Sequence, residues 1–342
     1  MDANNQPVLD PESQAFLRFV KDSGRPEMHT LSVEEARALF ARGQLGVKVP
    51  KPPADVESRT IPVGPGGSLH IYIVRPAGNR SMLPVVLYFH GGGWVLGDFE
   101  THERVVRDIV NGAQVAVVFP EYTRSPDARY PMANEEAYAA TKWVAEHGDE
   151  INVDADRLAV AGESAGGNMA TVVCMLAKQR SGPKIAAQVL FYPSTSGNPD
   201  FPSRKQFAEG YYLTAETGKW FWRHYSGGAP IHTEPTACPL NASVEQLRGL
   251  PPALIITAEC DVLRDEGEAY ARKLFQAGVT VTCTRYLGTL HGFNVANALA
   301  GSKASRASLA QTCDMLREVF ESVAKKSIQQ SAVSTQSVNV LS

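Results

Sequence analysis

The sequence lacks two features that mark large classes of proteins. It has no excess of charge of one sign, because 33 Lys and Arg residues face 36 Asp and Glu residues and leave a net charge of −3. A broad cationic surface for nucleic-acid phosphates or an anionic membrane is therefore not expected. Long apolar runs are also missing: the longest, near residues 169–177, is well short of the ~20 residues that a spanning helix needs. We expect neither a nucleic-acid partner nor a membrane partner.

Cysteine is scarce as well. The first six residues have neither a basic start nor an apolar run, so a secretory signal is not indicated and we expect a cytoplasmic protein. An odd number of cysteines without C-x-x-C or paired His/Cys spacing argues against a disulfide framework and against structural zinc. We expect reduced, mostly buried thiols and no metal site. The five cysteines are Cys174, Cys238, Cys260, Cys283 and Cys313.

An alternating pattern fills most of the 342-residue chain, whose 44% hydrophobic and 20% charged residues are typical of a globular protein. Between residues 58 and 320, short β-rich runs alternate with longer helical patterns, which predicts an α/β fold with a mostly parallel sheet of eight strands. Two runs, 85–89 and 115–119, are nearly unbroken apolar stretches and predict interior strands covered on both faces. The predicted strands are 59–63, 68–74, 85–89, 115–119, 157–161, 187–192, 253–257 and 279–287.

Helical periodicity predicts six helices. The segments 1–50 and 196–235 fall outside the strand–helix alternation, and the second is rich in aromatic residues. We predict that both form a cap over the carboxyl edge of the sheet; the alternative is ordinary surface elaboration. The α/β core then comprises residues 51–195 and 236–326, and residues 327–342, which lack helical periodicity, are predicted to be a flexible tail. The predicted helices are 12–21, 33–42, 134–146, 164–178, 265–277 (ending at Gly278) and 305–325.

A G-x-S-x-G pattern lies at Gly162-Glu163-Ser164-Ala165-Gly166, directly after a predicted strand and directly before a predicted helix. Glycines two positions to either side of Ser164 permit the strained strand-to-helix turn that exposes a nucleophilic serine. A serine attacks only when a base takes its proton and backbone amides stabilise the resulting oxyanion. The loop His90-Gly91-Gly92-Gly93-Trp94 follows another strand, so we choose Gly92, Gly93 and Ala165 as the amide donors.

The base and the acid are predicted from chain order, because this type of fold runs serine, then acid, then histidine. His291 follows the last strand in Gly288-Thr289-Leu290-His291-Gly292-Phe293 and is the predicted base. Asp261 follows the strand 253–257 at the edge where ligands collect in open α/β sheets, and is the preferred acid. The rivals are Glu259, Asp265 and Glu266, of which the last two open a helix, where carboxylates are common.

These segments together closely resemble the hormone-sensitive lipase family of α/β-hydrolases over nearly the whole chain, including Asp261-Val262-Leu263-Arg264-Asp265-Glu266 and His291-Gly292-Phe293. The resemblance implies an α/β-hydrolase fold with a cap and no cofactor, short-chain carboxylic esters as substrates, and often a homodimer. It also implies that Ser164, Asp261 and His291 are catalytic and that Gly92, Gly93 and Ala165 form the oxyanion hole.

Two positions depart from the family pattern. Glu163 stands where Asp is common, which is a conservative change. The stretch Glu121-Tyr122-Thr123 stands where the family has Asp-Tyr-Arg, so the usual ion pair of that arginine is in doubt and Arg124 is a candidate to replace it in part.

The predicted function is that of a serine carboxylesterase acting through an acyl-enzyme. An amidase or formamidase with the same triad is the nearest alternative. A small-molecule receptor on this scaffold is a second alternative, and the presence of His291 argues against it. The predicted wall residues of the substrate pocket, chosen because they adjoin catalytic loops or lie in the cap insertion, are Trp94, Tyr122, Tyr192, Phe207, Tyr211 and Phe293.

Overall fold

The computed structural model describes residues 7–339 and contains one eight-stranded sheet in the order β1-β2-β4-β3-β5-β6-β7-β8. β1 and β2 are antiparallel to their neighbours, and every pair from β4 onward is parallel. The predicted α/β fold with a mostly parallel sheet is confirmed. The strands are β1 Ala54–Ile61, β2 Leu69–Pro76, β3 Leu83–Phe89, β4 Ala116–Pro120, β5 Val153–Glu163, β6 Gln188–Phe191, β7 Ala253–Cys260 and β8 Val281–Leu290.

Ten α-helices surround the sheet in the described part of the chain, and all six predicted helices are among them. Gly278, just past the end of one predicted helix, adopts the left-handed φ of 79° that a helix terminus of this type requires. The helices are α1 Pro11–Asp22, α2 Val33–Leu45, α3 Phe99–Ala113, α4 Met132–His147, α5 Ala165–Gln179, α6 Pro202–Gln206, α7 Ala215–Ser226, α8 Val244–Leu247, α9 Arg264–Gln276 and α10 Lys303–Asn339.

β3 shows why an interior strand is a continuous apolar run. Val85, Leu87 and Phe89 pack on the face covered by α4, α5 and α9. Val86 and Tyr88 pack on the opposite face, against α3 and α10. Because successive side chains of a strand point to opposite faces, a strand covered on both sides needs apolar residues at every position.

Helix α3 was not among the predicted helices, although its sequence carries the signals for one. Asp98 caps the first turn in a reciprocal capping box with Thr101. Val106, Ile109 and Val110 recur at helical spacing and are buried in the core. Charged residues between these positions make the segment polar on average, so that only its periodicity, and not its composition, indicates the helix.

The C-terminal segment differs from its prediction. α10 continues to Asn339, whereas a flexible tail was predicted from residue 327; residues 340–342 lie outside the described part of the chain. Extending an existing helix adds one backbone hydrogen bond per residue without a new nucleation cost, so helix can persist where apolar periodicity has ended. No helix within residues 7–339 is long and apolar enough to cross a membrane.

Candidate active site

Ser164 lies at a sharp turn between β5 and α5. Its backbone angles, φ 56° and ψ −116°, are strained for a residue with a side chain. A Cβ atom at Gly166 would overlap the carbonyl oxygen of Phe89, and one at Gly162 would overlap the carbonyl of Gly166. Glycine is therefore required on both sides of the serine, and the half-buried Ser164 is presented at the carboxyl edge of the sheet.

A hydrogen-bonded chain joins three of the predicted residues. Nε2 of His291, in the turn after β8, lies 3.0 Å from Oγ of Ser164. Nδ1 of His291 lies 2.7 Å from Oδ2 of the buried Asp261, whose Oδ1 accepts the amide of Leu263 at 2.9 Å. Because a carboxylate only accepts, Nδ1 carries the proton of a neutral imidazole, and Nε2 is left free to accept from the serine hydroxyl.

The three rival carboxylates are occupied elsewhere. Glu259 accepts the amide of Gly288 at 2.8 Å. Asp265 accepts the amide of Ser203 and pairs with Arg264. Glu266 is buried against Arg204, and burial raises its pKa. Of the four candidates, only Asp261 contacts His291.

The predicted oxyanion donors are two amides of the loop after β3 and one amide at the start of α5. Gly92 and Gly93 have φ of 97° and 62°, and a Cβ atom at Gly93 would overlap the ring of Phe221. Within residues 7–339, the amides of Gly92 and Gly93 donate to no other group. Ala165 opens α5, where an amide has no acceptor inside its own helix. Two loop amides without an acceptor, together with one amide at a helix N-terminus, are suited to bind a developing oxyanion.

The first family departure, Glu163, is part of a buried network behind this loop. One of its carboxylate oxygens accepts the amide of Gly91 and lies 2.9 Å from Nε2 of His102. The other accepts the hydroxyl of Tyr88 at 2.6 Å. The carboxylate therefore connects the G-x-S-x-G turn to the glycine-rich loop.

The second departure changes a different set of contacts. Glu121 accepts the amide of Phe99, the first residue of α3, and burial raises the pKa of Glu121. Thr123 donates to Glu136 through both its amide and its hydroxyl. Arg124 donates to the carbonyl of Gly97 at 2.5 Å, so a guanidinium still supports the glycine-rich loop from this stretch.

A cavity of about 570 Å³ opens onto Ser164 and His291. Its far walls come from α1, the loop after α1, α2 and the segment 210–222, so both predicted cap segments line it. The two segments also contact each other, because the rings of Phe16 and Tyr212 pack edge to face with centroids 5.0 Å apart. The apolar lining residues from these two segments are Leu17, Val20, Pro26, Met28, Phe40, Leu213, Phe221 and Trp222.

Two of the six predicted wall residues line the cavity. Trp94 is one; Tyr192 is the other, and its ring packs against the His291 imidazole at a centroid distance of 4.7 Å. The remaining four, Tyr122, Phe207, Tyr211 and Phe293, are not on its wall.

These four residues contact the core instead. Tyr122 stacks on His90 beneath the glycine-rich loop, and Phe293 packs behind Tyr192. Phe207 is buried in a small apolar cluster, with Tyr211 against its ring. An aromatic residue next to a catalytic loop more often fills the space under the loop than the cavity above it. Phe221 and Tyr212, which do line the cavity, were missed, although both lie in the aromatic-rich segment singled out in the sequence.

The chain is similar to known hydrolases and esterases. Residues 86–295 match the family described as alpha/beta hydrolase fold. Esterase LipI of Mycobacterium tuberculosis is 40% identical over 85% of this chain and 89% of its own. An ethyl acetate hydrolase of Pseudomonas putida is 34% identical over 83% of this chain and 92% of its own. A crystal structure of a thermostable esterase from Pseudomonas putida ECU1011 superposes with a TM-score of 0.90 at 48% identity, covering 92% of this chain and 99% of that one.

Proposed function

The chain belongs to the hormone-sensitive lipase family of α/β-hydrolases and is a carboxylic ester hydrolase; from this premise we propose that it cleaves esters with Ser164 as nucleophile, His291 as base and Asp261 as orienting acid. The observation that carries the proposal is the unbroken hydrogen-bonded chain from Asp261 through His291 to Ser164. It puts a neutral imidazole nitrogen against the hydroxyl that has to lose its proton.

Acylation begins when Oγ of Ser164 attacks the ester carbonyl carbon and its proton moves to Nε2 of His291. Asp261 stabilises the imidazolium that forms. The carbonyl oxygen becomes an oxyanion and accepts hydrogen bonds from the amides of Gly92, Gly93 and Ala165. When the tetrahedral intermediate collapses, the bond to the alcohol oxygen breaks and the alcohol leaves with the proton from His291.

Deacylation repeats the same steps with water as the nucleophile. His291 takes a proton from water, the hydroxide attacks the acyl carbon, and the oxyanion again forms against the three amides. Collapse breaks the bond to Oγ, and His291 returns its proton to Ser164. The carboxylic acid leaves, and the nucleophile, the base, the orienting acid and the amide donors of this mechanism are all groups of the chain.

The size of the substrate follows from what closes the cavity. Residues 17–44 and 204–222, which belong to the two predicted cap segments, supply its far walls. An acyl chain therefore enters a bounded apolar space rather than lying on an open surface, which favours short esters. Phe221, whose ring lies directly against Gly93, limits the space beside the oxyanion hole.

Hydrolysis of phenyl acetate by the wild-type chain and by Ser164→Ala tests the proposal, with acetanilide as the matched amide. We expect kcat on the ester to fall by ~10⁶ in the variant, because the nucleophile is removed. A serine-directed phosphonate should label Ser164 and leave the variant unlabelled. Near-normal turnover by a folded Ser164→Ala protein would contradict the mechanism, and faster cleavage of acetanilide than of phenyl acetate would indicate an amidase.

A further inference from the structure

The charged side chains on the cavity wall divide into two sets. Those nearest the catalytic residues have partners: Glu163 lies against His102, Arg204 pairs with Glu266, and the neutral His291 is hydrogen-bonded to Asp261. The second set, Arg18, Lys21, Arg25 and Glu27, comes from α1 and the loop after it. None of these four side chains forms an ion pair or hydrogen bond with any residue in the 7–339 range. This part of the wall therefore holds three uncompensated cations and one carboxylate.

The three cations are arranged along one side of the N-terminal segment. Arg18 and Lys21 are three positions apart on α1 and share a face of the helix with Leu17 and Val20, which also line the cavity. Arg25 follows shortly after the helix, and its guanidinium lies 5.4 Å from the centre of the Tyr212 ring on the opposite cap segment. The cations therefore border the apolar cavity rather than only the outer surface.

A cation at the rim of an apolar cavity attracts an anion more strongly than one on an open surface, because the low-dielectric walls weaken screening by water. A neutral ester gains nothing from this attraction. A single carboxylate, Glu27, lowers the local positive charge without cancelling it.

We propose that the preferred substrates of this esterase are esters that also carry a carboxylate at the end remote from the scissile carbonyl, and that Arg18, Lys21 and Arg25 bind this carboxylate. The proposal rests on the proposed function and adds the substrate class. The bound carboxylate does not take part in the reaction. Hydrolysis still breaks the acyl–oxygen bond, adds water across it and leaves the remote carboxylate unchanged.

Two pairs of esters, matched in size, test the proposal on either side of the scissile bond. 3-Acetoxybenzoate is compared with 3-acetoxybenzamide, and monomethyl adipate with the methyl ester of adipamic acid. In each pair the only change is a carboxylate for a carboxamide. We expect a preference of roughly tenfold in kcat/KM for the carboxylate member of at least one pair, decreasing several-fold in 0.5 M NaCl because salt screens exposed charges.

Variants assign the preference to the three cations. Arg18→Gln, Lys21→Gln and Arg25→Gln combined should bring the kcat/KM ratio of that pair close to one, and Glu27→Gln should raise the ratio. Arg42→Gln is the matched control, because Arg42 is an exposed cation of α2 outside the cavity wall, and it should leave the ratio unchanged. Thermal unfolding checks that each variant is folded.

The outcomes separate the two proposals. Two results would overturn the carboxylate preference without contradicting ester hydrolysis. One is equal or better hydrolysis of the carboxamide member in both pairs. The other is a kcat/KM ratio that the triple substitution leaves unchanged. Failure to hydrolyse any of the four esters and phenyl acetate would contradict the proposed function itself, and the substrate proposal with it.

Discussion

Nε2 of His102 lies 2.9 Å from Oε1 of Glu163, and both side chains are almost completely buried. Nδ1 of His102 lies 3.0 Å from the carbonyl oxygen of Asp98, and the nearby Thr101 hydroxyl has its own acceptors on Asp98. Because a carbonyl and a carboxylate only accept, these two contacts favour an imidazolium at His102, with both ring nitrogens donating. Burial by itself would lower the pKa of His102, but the charge and hydrogen bond of Glu163 raise it above the ordinary value.

This ion pair matters for catalysis because of what else Glu163 contacts. Its carboxylate also accepts the amide of Gly91 and the hydroxyl of Tyr88. Gly91 directly precedes Gly92 and Gly93, whose amides are the proposed oxyanion donors. Glu163 is therefore a positioning residue for the glycine-rich loop. A movement of its carboxylate would shift Gly91 and, because Gly91 is bonded to Gly92, also the proposed oxyanion donors.

Glu163→Gln should reduce the free energy of unfolding by about 3 kcal/mol, because it leaves a buried imidazolium without its counter-charge. It should also lower kcat on phenyl acetate more than it raises KM, since the loop acts on the transition state. Glu163→Asp, which keeps the charge, should lose less unfolding free energy and less kcat than Glu163→Gln. A double-mutant cycle of Glu163→Gln with His102→Gln measures the coupling energy between the two side chains. A coupling energy near zero would refute a stabilising ion pair.

The stability contributed by His102 should depend on pH. Its folded-state pKa is raised above its unfolded value of about 6.5, so the contribution is complete below that pH and is lost as pH rises through the folded-state pKa. The difference in unfolding free energy between the wild-type chain and His102→Gln should therefore shrink from pH 6 toward pH 9. Urea unfolding at pH 6, 7, 8 and 9 measures it. A difference that grows with pH would mean that His102 is neutral in the folded protein.

Asp261→Asn should preserve the fold and lower kcat by about 10⁴, because an amide at this position favours the wrong imidazole tautomer of His291. Asp265→Asn is the matched control. Asp265 pairs with Arg264 and accepts the amide of Ser203. Its loss should therefore lower stability and leave kcat nearly unchanged. Thermal unfolding first checks that both variants are folded. Their kcat values on phenyl acetate are then compared. A larger loss of kcat for Asp265→Asn than for Asp261→Asn would show that Asp261 is not the catalytic acid.

The length of the acyl chain should limit turnover. Each methylene that enters the apolar cavity contributes up to about 0.8 kcal/mol, so kcat/KM should rise over the first carbons and fall when the chain meets the wall. Aryl acetate, butyrate, octanoate and palmitate form the series. Phe221→Ala, which removes the ring beside Gly93, should move the optimum to a longer chain. A steady rise to palmitate with activation at an oil interface would instead indicate a lipase with an open lipid-facing site.

Local sequence predicted those parts of the protein that depend on residues close together in the chain. The G-x-S-x-G turn and the apolar runs of β3 and β4 require particular residue types within a few positions, whatever the rest of the chain does. The chain order of serine, acid and histidine then selected Ser164, Asp261 and His291, which the fold brings within hydrogen-bonding distance. α3 has the same kind of local signal, but its many charged residues mask the apolar periodicity that indicates a helix.

Only the tertiary structure decided which distant side chains meet. Glu163 and His102 belong to separate strand–helix units, and no pattern in either unit indicates that they pair. Phe221 reaches the oxyanion loop, and Tyr122 lies beneath it, because side chains fill whatever space the packed elements leave, and that space is set by the whole fold. The cations of α1 border the cavity for the same reason: an exposed helix face becomes a wall only once the chain has folded over the catalytic edge.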